Sequence, residues 1–155
     1  MFNTKAVVAA FGLALASSAA LAQEAPKFFF EGDAVRGAGP GAKGPGCVLN
    51  SQFKRGETIV FRIRVLDAKT GKSLDDKGIK DMRVEMSNGK TNPFIFHGHP
   101  PKDPVDWFWV SPFLLNEDVP SGSFSYKVVV TGLDGKETTW EPFKTKPSQM
   151  TLVEN

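Results

Sequence analysis

Apolar and polar residues alternate strictly in several stretches of this chain. The clearest is residues 57–67, where Ile59, Phe61, Ile63 and Val65 alternate with positions that include two arginines. Successive side chains of a β-strand point to opposite faces, so a period of two predicts a strand with one buried face.

A second alternating stretch is followed at once by a turn signal. Met82, Val84 and Met86 alternate with polar residues, and an Asn-Gly pair comes next at 88–89. Asn-Gly favours the tight turn of a two-stranded hairpin. We therefore expect a hairpin whose returning strand covers residues 93–97.

Short strand candidates separated by Gly, Pro and Asn turns account for most of the chain beyond residue 22. No ten-residue stretch there has the 3.6-residue apolar period of a helix. The candidate strands are 27–31, 57–67, 81–87, 93–97, 107–113, 123–131, 138–143 and 149–153. This pattern predicts an all-β fold, an antiparallel β-sandwich of seven to eight strands.

The first 22 residues have a different character. Lys5 precedes an apolar run at residues 6–15, and Ala20-Leu21-Ala22 precedes Gln23. This is the pattern of a secretory signal peptide cleaved after Ala22. The apolar run is too short for a membrane span and no stop-transfer segment follows it, so we expect a periplasmic or secreted protein with no membrane span after cleavage.

The chain then divides into a signal peptide (1–22), an N-terminal strand with a Gly/Pro-rich loop (23–46) and a β-sandwich domain (47–155). The 19 basic and 17 acidic residues are interspersed, which offers no electrostatic basis for binding nucleic acid. The chain also lacks the nucleophile elbow, zinc-protease, Cys-x-x-Cys and phosphate-loop motifs. We expect neither a nucleic-acid-binding protein nor an enzyme, and assign no catalytic residue.

Cys47 is the only cysteine and cannot form an internal disulfide. In an oxidising compartment its thiol would be buried, bound to a metal or bridged to another chain. His97 and His99, at i and i+2 of an extended segment, project to one side. Together with Cys47 they would form a copper or zinc site; the competing interpretation is two exposed histidines in a Pro-rich loop.

Trp107 and Trp109 lie on one face of a predicted strand. If exposed, the two indoles would stack on a sugar ring or contact an apolar patch of a partner. If buried, they would form the centre of the sandwich core.

Residues 119–135 resemble a bacterial immunoglobulin-like domain. Pro120 and Gly122 set a turn, and Phe124, Tyr126 and further alternate residues follow before an Asp-Gly turn. The resemblance implies an immunoglobulin-like sandwich that binds, spaces or scaffolds.

The leading hypothesis is therefore an exported, non-catalytic binding or accessory module for a protein partner or an extracellular ligand. One alternative is a periplasmic copper- or zinc-binding protein that uses Cys47, His97 and His99. The other is a carbohydrate-binding module or small hydrolase built around Trp107 and Trp109.

Overall fold

The computed structural model describes residues 25–38, 46, 48–142 and 150–153. The predicted signal peptide and Cys47 lie outside these residues. In the described part, the chain forms strands and no helix, so it has no helix that could cross a membrane. The strands are β1 (Phe28–Arg36), β2 (Val48–Leu49), β3 (Gln52–Lys54), β4 (Thr58–Asp67), β5 (Ile79–Met86), β6 (Thr91–Pro93), β7 (Ile95–His99), β8 (Asp106–Leu114), β9 (Gly122–Phe124), β10 (Tyr126–Gly132), β11 (Glu137–Trp140) and β12 (Met150–Val153).

These strands form three sheets. The largest has the order β2-β1-β4-β8-β7, the second β11-β10-β5-β6 and the smallest β3-β12-β9. Neighbours are antiparallel except β3 and β12, which are parallel. The predicted all-β class is confirmed, with sheets packed in a sandwich-like arrangement.

The core lies between the five-stranded and four-stranded sheets. The apolar positions of the two alternating stretches are all buried: Ile59, Phe61, Ile63, Val65, Met82, Val84 and Met86. The ring centroids of Phe61 on β4 and Tyr126 on β10 are 4.7 Å apart, so the two sheets touch directly. The smallest sheet adds Phe53, Phe124 and Leu152 to the same core. The period-two interpretation of these strands is confirmed.

Strand β1 belongs to this sandwich although it precedes residue 47. It pairs with β4 at nine successive positions, from Phe28 opposite Asp67 to Arg36 opposite Ile59. The segment 23–46, expected to precede the sandwich domain, thus contributes a long strand to its largest sheet.

The expected hairpin forms, but its returning strand is shorter than predicted and ends earlier. Gly89 has a φ of 82°, and the return is β6, which pairs with β5. At the buried Phe94 the chain crosses from the four-stranded sheet to the five-stranded sheet, where β7 pairs with β8. Such sheet changes divide the chain more finely than the predicted seven to eight strands: eight strands have four or more residues, and four have two or three.

The two large sheets have contrasting outer faces, meaning the sides turned away from the core. On the four-stranded sheet, Arg83 pairs with Glu85 and Glu137 at 2.8 and 2.9 Å, and Lys127 pairs with Glu85 at 3.0 Å. Val129 lies opposite Arg83 in the β5–β10 register and is almost fully buried. This face is covered by charge, as long ionic side chains cover apolar surface with their stems.

The outer face of the five-stranded sheet instead exposes apolar side chains. Phe29, Leu49, Ile95 and Leu114 are each more than half exposed. Their register partners, such as Val110 opposite Ile95, lie on the same face. This face is therefore where the structure directs the search for a functional site.

Candidate functional site

The two histidines lie on the outer face of the five-stranded sheet, on the edge strand β7. His97 is opposite Phe108 and His99 is opposite Asp106 in the register with β8. Residues directly opposite in an antiparallel pair share a face of the sheet. His97 is half-buried and His99 is exposed, so the two imidazoles project to one side as their spacing predicts.

The imidazoles line a cavity of about 210 Å³ on this face. Phe108, Val35, Val60 and Val110 contribute its apolar wall. The ring centroids of His99 and Phe108 are 6.0 Å apart. The cavity is thus an almost wholly apolar depression that the two imidazoles border.

Beside this cavity, two arginines of β4 are held by carboxylates. Arg62 donates two hydrogen bonds to Asp33, from Nε at 2.8 Å and from Nη2 at 2.7 Å. Arg64 is bonded to Asp106 and lies 3.7 Å from Glu31. A bidentate guanidinium–carboxylate pair fixes both groups in position.

These ion pairs also fix charge states. The hydrogen bond from Arg64 holds the pKa of Asp106 below its ordinary value, and the same bond raises the pKa of Arg64. Arg62, Arg64 and Asp106 line a pocket of about 300 Å³ with Phe108. This pocket presents ionised groups that accept or donate hydrogen bonds without changing protonation.

A larger groove, of about 740 Å³, lies between β8 and the loop 73–77; we call it the Trp107 groove. Trp107 is 49% exposed in it. Its indole stacks on Phe96, with ring centroids 5.4 Å apart and planes inclined by 22°. One aromatic surface is therefore presented to solvent in a fixed orientation.

Trp109 has a different role from Trp107, although both are on the same face of β8. It is only 6% exposed, and its Nε1 donates a hydrogen bond to the carbonyl oxygen of Leu74 at 3.0 Å. The two indoles therefore do not form one exposed platform. Trp109 lies in the core and positions the loop that forms the wall of the Trp107 groove.

Gly98, the penultimate residue of β7, is required by the close packing around it. A Cβ atom there would lie 2.6 Å from the Pro104 side chain and 3.1 Å from Cζ2 of Trp107. Only glycine leaves room for this approach. The residue that the sequence presents as a break in the His-Gly-His segment thus seats the Pro-rich loop and Trp107.

The charged pocket shares lining residues with each of the other two depressions. Phe108 and Arg62 line both the apolar cavity and the charged pocket. Arg64 and Asp106 line both the charged pocket and the Trp107 groove. The charged pocket therefore adjoins both the apolar cavity and the Trp107 groove.

The structure locates only part of the predicted copper or zinc site. Across the described ranges, no three His, Cys, Asp or Glu side chains are grouped to hold a metal ion. Cys47 is outside those ranges. His97 and His99 are on β7, at one edge of the five-stranded sheet.

Arg62, Arg64 and Phe108 are site residues that the sequence analysis did not select. The signal was present, because both arginines alternate with the buried residues of β4 and Phe108 alternates with the two tryptophans. What the sequence could not show is that the second face of these strands stays open to solvent.

No protein-family model matches the chain, and comparisons with curated proteins and with solved structures likewise return no match.

Proposed function

We propose that this protein is an exported, non-catalytic binding module with an immunoglobulin-like β-sandwich, and that it holds a protein partner against the outer face of its five-stranded sheet. The observation that carries the proposal is the contrast between the two outer faces. Both faces carry ion pairs, but among the described residues only the outer face of the five-stranded sheet also exposes large apolar side chains, those of Phe29, Leu49, Ile95 and Leu114.

The composition of the exposed face favours a protein as the ligand. Exposed apolar surface is typical of interaction sites, and Ile95 lies opposite Val110 on this face. Energetically dominant interface residues are enriched in Trp, Tyr and Arg. On this face the guanidinium carbon of Arg62 lies 6.0 Å from the ring centroid of Phe108.

The polar part of the surface is organised before any partner arrives. Asp33 holds Arg62 through two hydrogen bonds, and Asp106 is bonded to Arg64. Association costs less when such long side chains are already ordered. The lowered pKa of Asp106 keeps its carboxylate ionised, which suits hydrogen-bond acceptance better than proton donation to a substrate.

Two further features support the finer parts of the proposal. The signal-peptide pattern of residues 1–22 supports export. The burial of Phe124 and Val128, with Gly135 at a φ of 77° in the following turn, supports the immunoglobulin-like interpretation of residues 119–135.

Site-specific photo-crosslinking tests the proposal. A crosslinking residue replaces Ile95, which is 57% exposed on the proposed face, or Leu133, which is 68% exposed in the β10–β11 turn. We expect a specific protein to be captured from extracts of the exported fraction at position 95 and not at position 133. That protein, once purified, should bind the wild-type chain.

Two matched charge substitutions then test whether the partner binds the outer face of the five-stranded sheet. Ile95→Asp should raise the dissociation constant for the purified partner by about tenfold or more, which corresponds to a loss of about 1.4 kcal/mol of binding free energy. Leu133→Asp should leave it unchanged. Equal capture at both positions, or equal effects of both substitutions, would overturn the proposal; capture of the chain by itself would indicate self-association instead.

A specific observation favours a second candidate, a carbohydrate-binding module. The Trp107 groove presents an indole face beside Asp75 and Asp76, and aromatic faces with adjacent hydrogen-bonding groups suit a sugar ring. A glycan array probed with the purified protein tests it. Binding that Trp107→Ala abolishes and Ile95→Asp leaves intact would support the carbohydrate function over the protein partner.

A further inference from the structure

We propose that Asn88 is a site of covalent self-modification, at which the side-chain carboxamide cyclises onto the backbone nitrogen of Gly89 and is converted to aspartate and isoaspartate. The Gly89 nitrogen gives up its proton to a solvent base and bonds to Cγ of Asn88. The bond from Cγ to Nδ2 then breaks, and Nδ2 leaves as ammonia with a proton taken from water. Water opens the resulting succinimide at either carbonyl carbon. The proposal is independent of the proposed function, because the β5–β6 turn belongs to the four-stranded sheet.

The turn between β5 and β6 exposes the peptide bond that reacts. The backbone N–H of Gly89 donates to the carbonyl oxygen of Met86 at 2.9 Å, and the N–H of Met86 donates to the carbonyl oxygen of Lys90 at 2.9 Å. Gly89 is exposed and has a φ of 82°. Apart from its chain neighbours, no atom lies within 4 Å of the position that a Cβ atom would occupy there. Glycine therefore permits this turn and leaves its backbone nitrogen unscreened from water by any side chain of its own.

The carboxamide of Asn88 is held beside that nitrogen. Its Oδ1 accepts a hydrogen bond from the backbone N–H of Lys90 at 3.1 Å. A hydrogen bond from the amide two residues further on folds an Asn side chain over the intervening peptide, here that of Gly89. The same N–H stabilises the negative charge that develops on Oδ1 as the nitrogen attacks Cγ. The turn therefore both positions and polarises the group that is attacked.

The nitrogen that leaves is not held in place. Nδ2 of Asn88 is buried and has no hydrogen-bond partner in the described part of the chain. A buried N–H group without a partner raises the free energy of the folded state. The departure of Nδ2 as ammonia removes that cost and breaks no hydrogen bond to the described residues.

One hydrogen bond opposes the reaction and controls its rate. The Gly89 nitrogen must lose its proton before it attacks, and this breaks its hydrogen bond to the carbonyl oxygen of Met86. Met86 is buried on β5, so the bond breaks only when the tip of the hairpin opens. We therefore expect the reaction to be slower in the folded protein than in the unfolded chain.

The products change the charge and the backbone of the turn. Both add a carboxylate next to Lys90, whose Nζ is paired with Asp118 at 2.5 Å. Isoaspartate also routes the main chain through an additional methylene group, which lengthens a turn that the Met86–Lys90 hydrogen bond closes. The modified chain should therefore pair β5 with β6 less stably than the original chain.

Asn92 provides an internal control four residues further along the chain. It precedes Pro93, whose backbone nitrogen carries no proton and therefore cannot form the ring. Its Nδ2 also donates to Ser111 and to the carbonyl oxygen of Pro112, at 2.9 and 2.7 Å. Asn92 thus lacks both features that favour reaction at Asn88.

Incubation of the mature chain at mildly alkaline pH, followed by peptide mapping with mass spectrometry, tests the proposal. We expect position 88 of the folded protein to yield both aspartate and isoaspartate, at a rate that rises with pH, while Asn92 stays intact. In urea the conversion should be faster by about tenfold or more, because the hairpin no longer holds the Gly89 N–H. Asn88→Gln, whose longer side chain would have to close a larger ring, should abolish conversion at this position and keep the circular dichroism spectrum of the wild type.

Each contrary outcome would overturn the proposal for a stated reason. Conversion at position 88 no faster than at Asn92 would show that the Gly89 nitrogen does not attack. Aspartate without isoaspartate would indicate direct hydrolysis by water. Conversion confined to the sample in urea would show that the native turn prevents the reaction, and equal rates with and without urea would refute the control assigned to the hydrogen bond to Met86.

Discussion

The indole Nε1 of Trp109 and the carbonyl oxygen of Leu74 are joined by a hydrogen bond of 3.0 Å. Trp109 lies in the core, and Leu74 lies in the loop that lines the Trp107 groove. A buried side chain thereby determines where a surface loop sits. The shape of the groove depends on the core as well as on its own exposed residues.

Replacing Trp109 by Phe should destabilise the protein by roughly 1–3 kcal/mol, because the substitution removes the donor to Leu74 while keeping an aromatic ring in the core. We expect faster hydrogen exchange in residues 73–78 than in the wild type, measured by mass spectrometry. Trp107→Phe is the matched control and should leave unfolding and exchange in the loop nearly unchanged. Unaltered exchange in Trp109→Phe would show that the hydrogen bond does not position the loop.

Asn92 is expected to be a stabilising link between the sheets. Its Nδ2 donates to Oγ of the buried Ser111 at 2.9 Å and to the carbonyl oxygen of Pro112 at 2.7 Å. Asn92→Ala leaves two acceptors without this donor, so the free energy of unfolding should fall by about 1–3 kcal/mol. Denaturant unfolding measures it, with the exposed neighbour Thr91→Ala as control; equal effects in the two variants would contradict this role.

Tyr126 should make the free energy of unfolding depend on pH in the alkaline range. Burial, aided by the negative charge of Asp33, raises its pKa to about 12. A raised folded-state pKa means that the stabilisation is complete below the unfolded value of about 10 and is lost as the pH rises towards 12. Two pKa units correspond to at most about 3 kcal/mol.

Ultraviolet titration tests this expectation cleanly, because Tyr126 is the only tyrosine in the chain. The phenol should ionise near pH 12 in the folded protein and near pH 10 in urea. Tyr126→Phe should lose less stability than the wild type between pH 10 and 12. Ionisation of the folded protein near pH 10 would show that the ring is more solvated than the structure indicates.

Arg64 should control the ionisation of Asp106. In Arg64→Gln the pKa of Asp106 should rise towards its ordinary value, because the charged donor is lost. Carboxyl-carbon NMR titration measures the change, and Lys80→Gln on the other sheet should leave the Asp106 pKa unaffected. Because the pKa of Asp106 is lower in the folded than in the unfolded protein, its ionised carboxylate stabilises the fold at pH values above the unfolded-state pKa. This stabilisation is lost as the pH falls through the folded-state pKa.

The strands of highest regularity were predictable because burial alone dictates their pattern. Ile59 to Val65 on β4 and Met82 to Met86 on β5 alternate and are buried as expected. The passage at Phe94 was not predictable, because a run such as Pro-Phe-Ile-Phe-His has the same apolar character whichever sheet it joins. Pairing with β8 is a long-range choice that local patterning does not encode.

The candidate site was predictable only in its residue types. The spacing of His97 and His99 sufficed to place both on one face, since strand geometry is local. The same reasoning applied to Trp107 and Trp109 correctly put both on one face but could not tell that one is exposed and one buried. That difference depends on the loop 73–77, which covers one indole and leaves the other beside the groove.

Taken by itself, the sequence determined the strand pattern, the buried faces and the all-β class, because alternation and turn chemistry act over a few residues. Only the tertiary structure decided which sheet each strand joins and which outer face stays apolar. It also brought Arg62, Arg64 and Asp106 beside Phe108 and the histidines. These relationships join residues far apart in the sequence, such as Asp33 and Phe108 in one pocket, and they arise from strand pairing across the sheet.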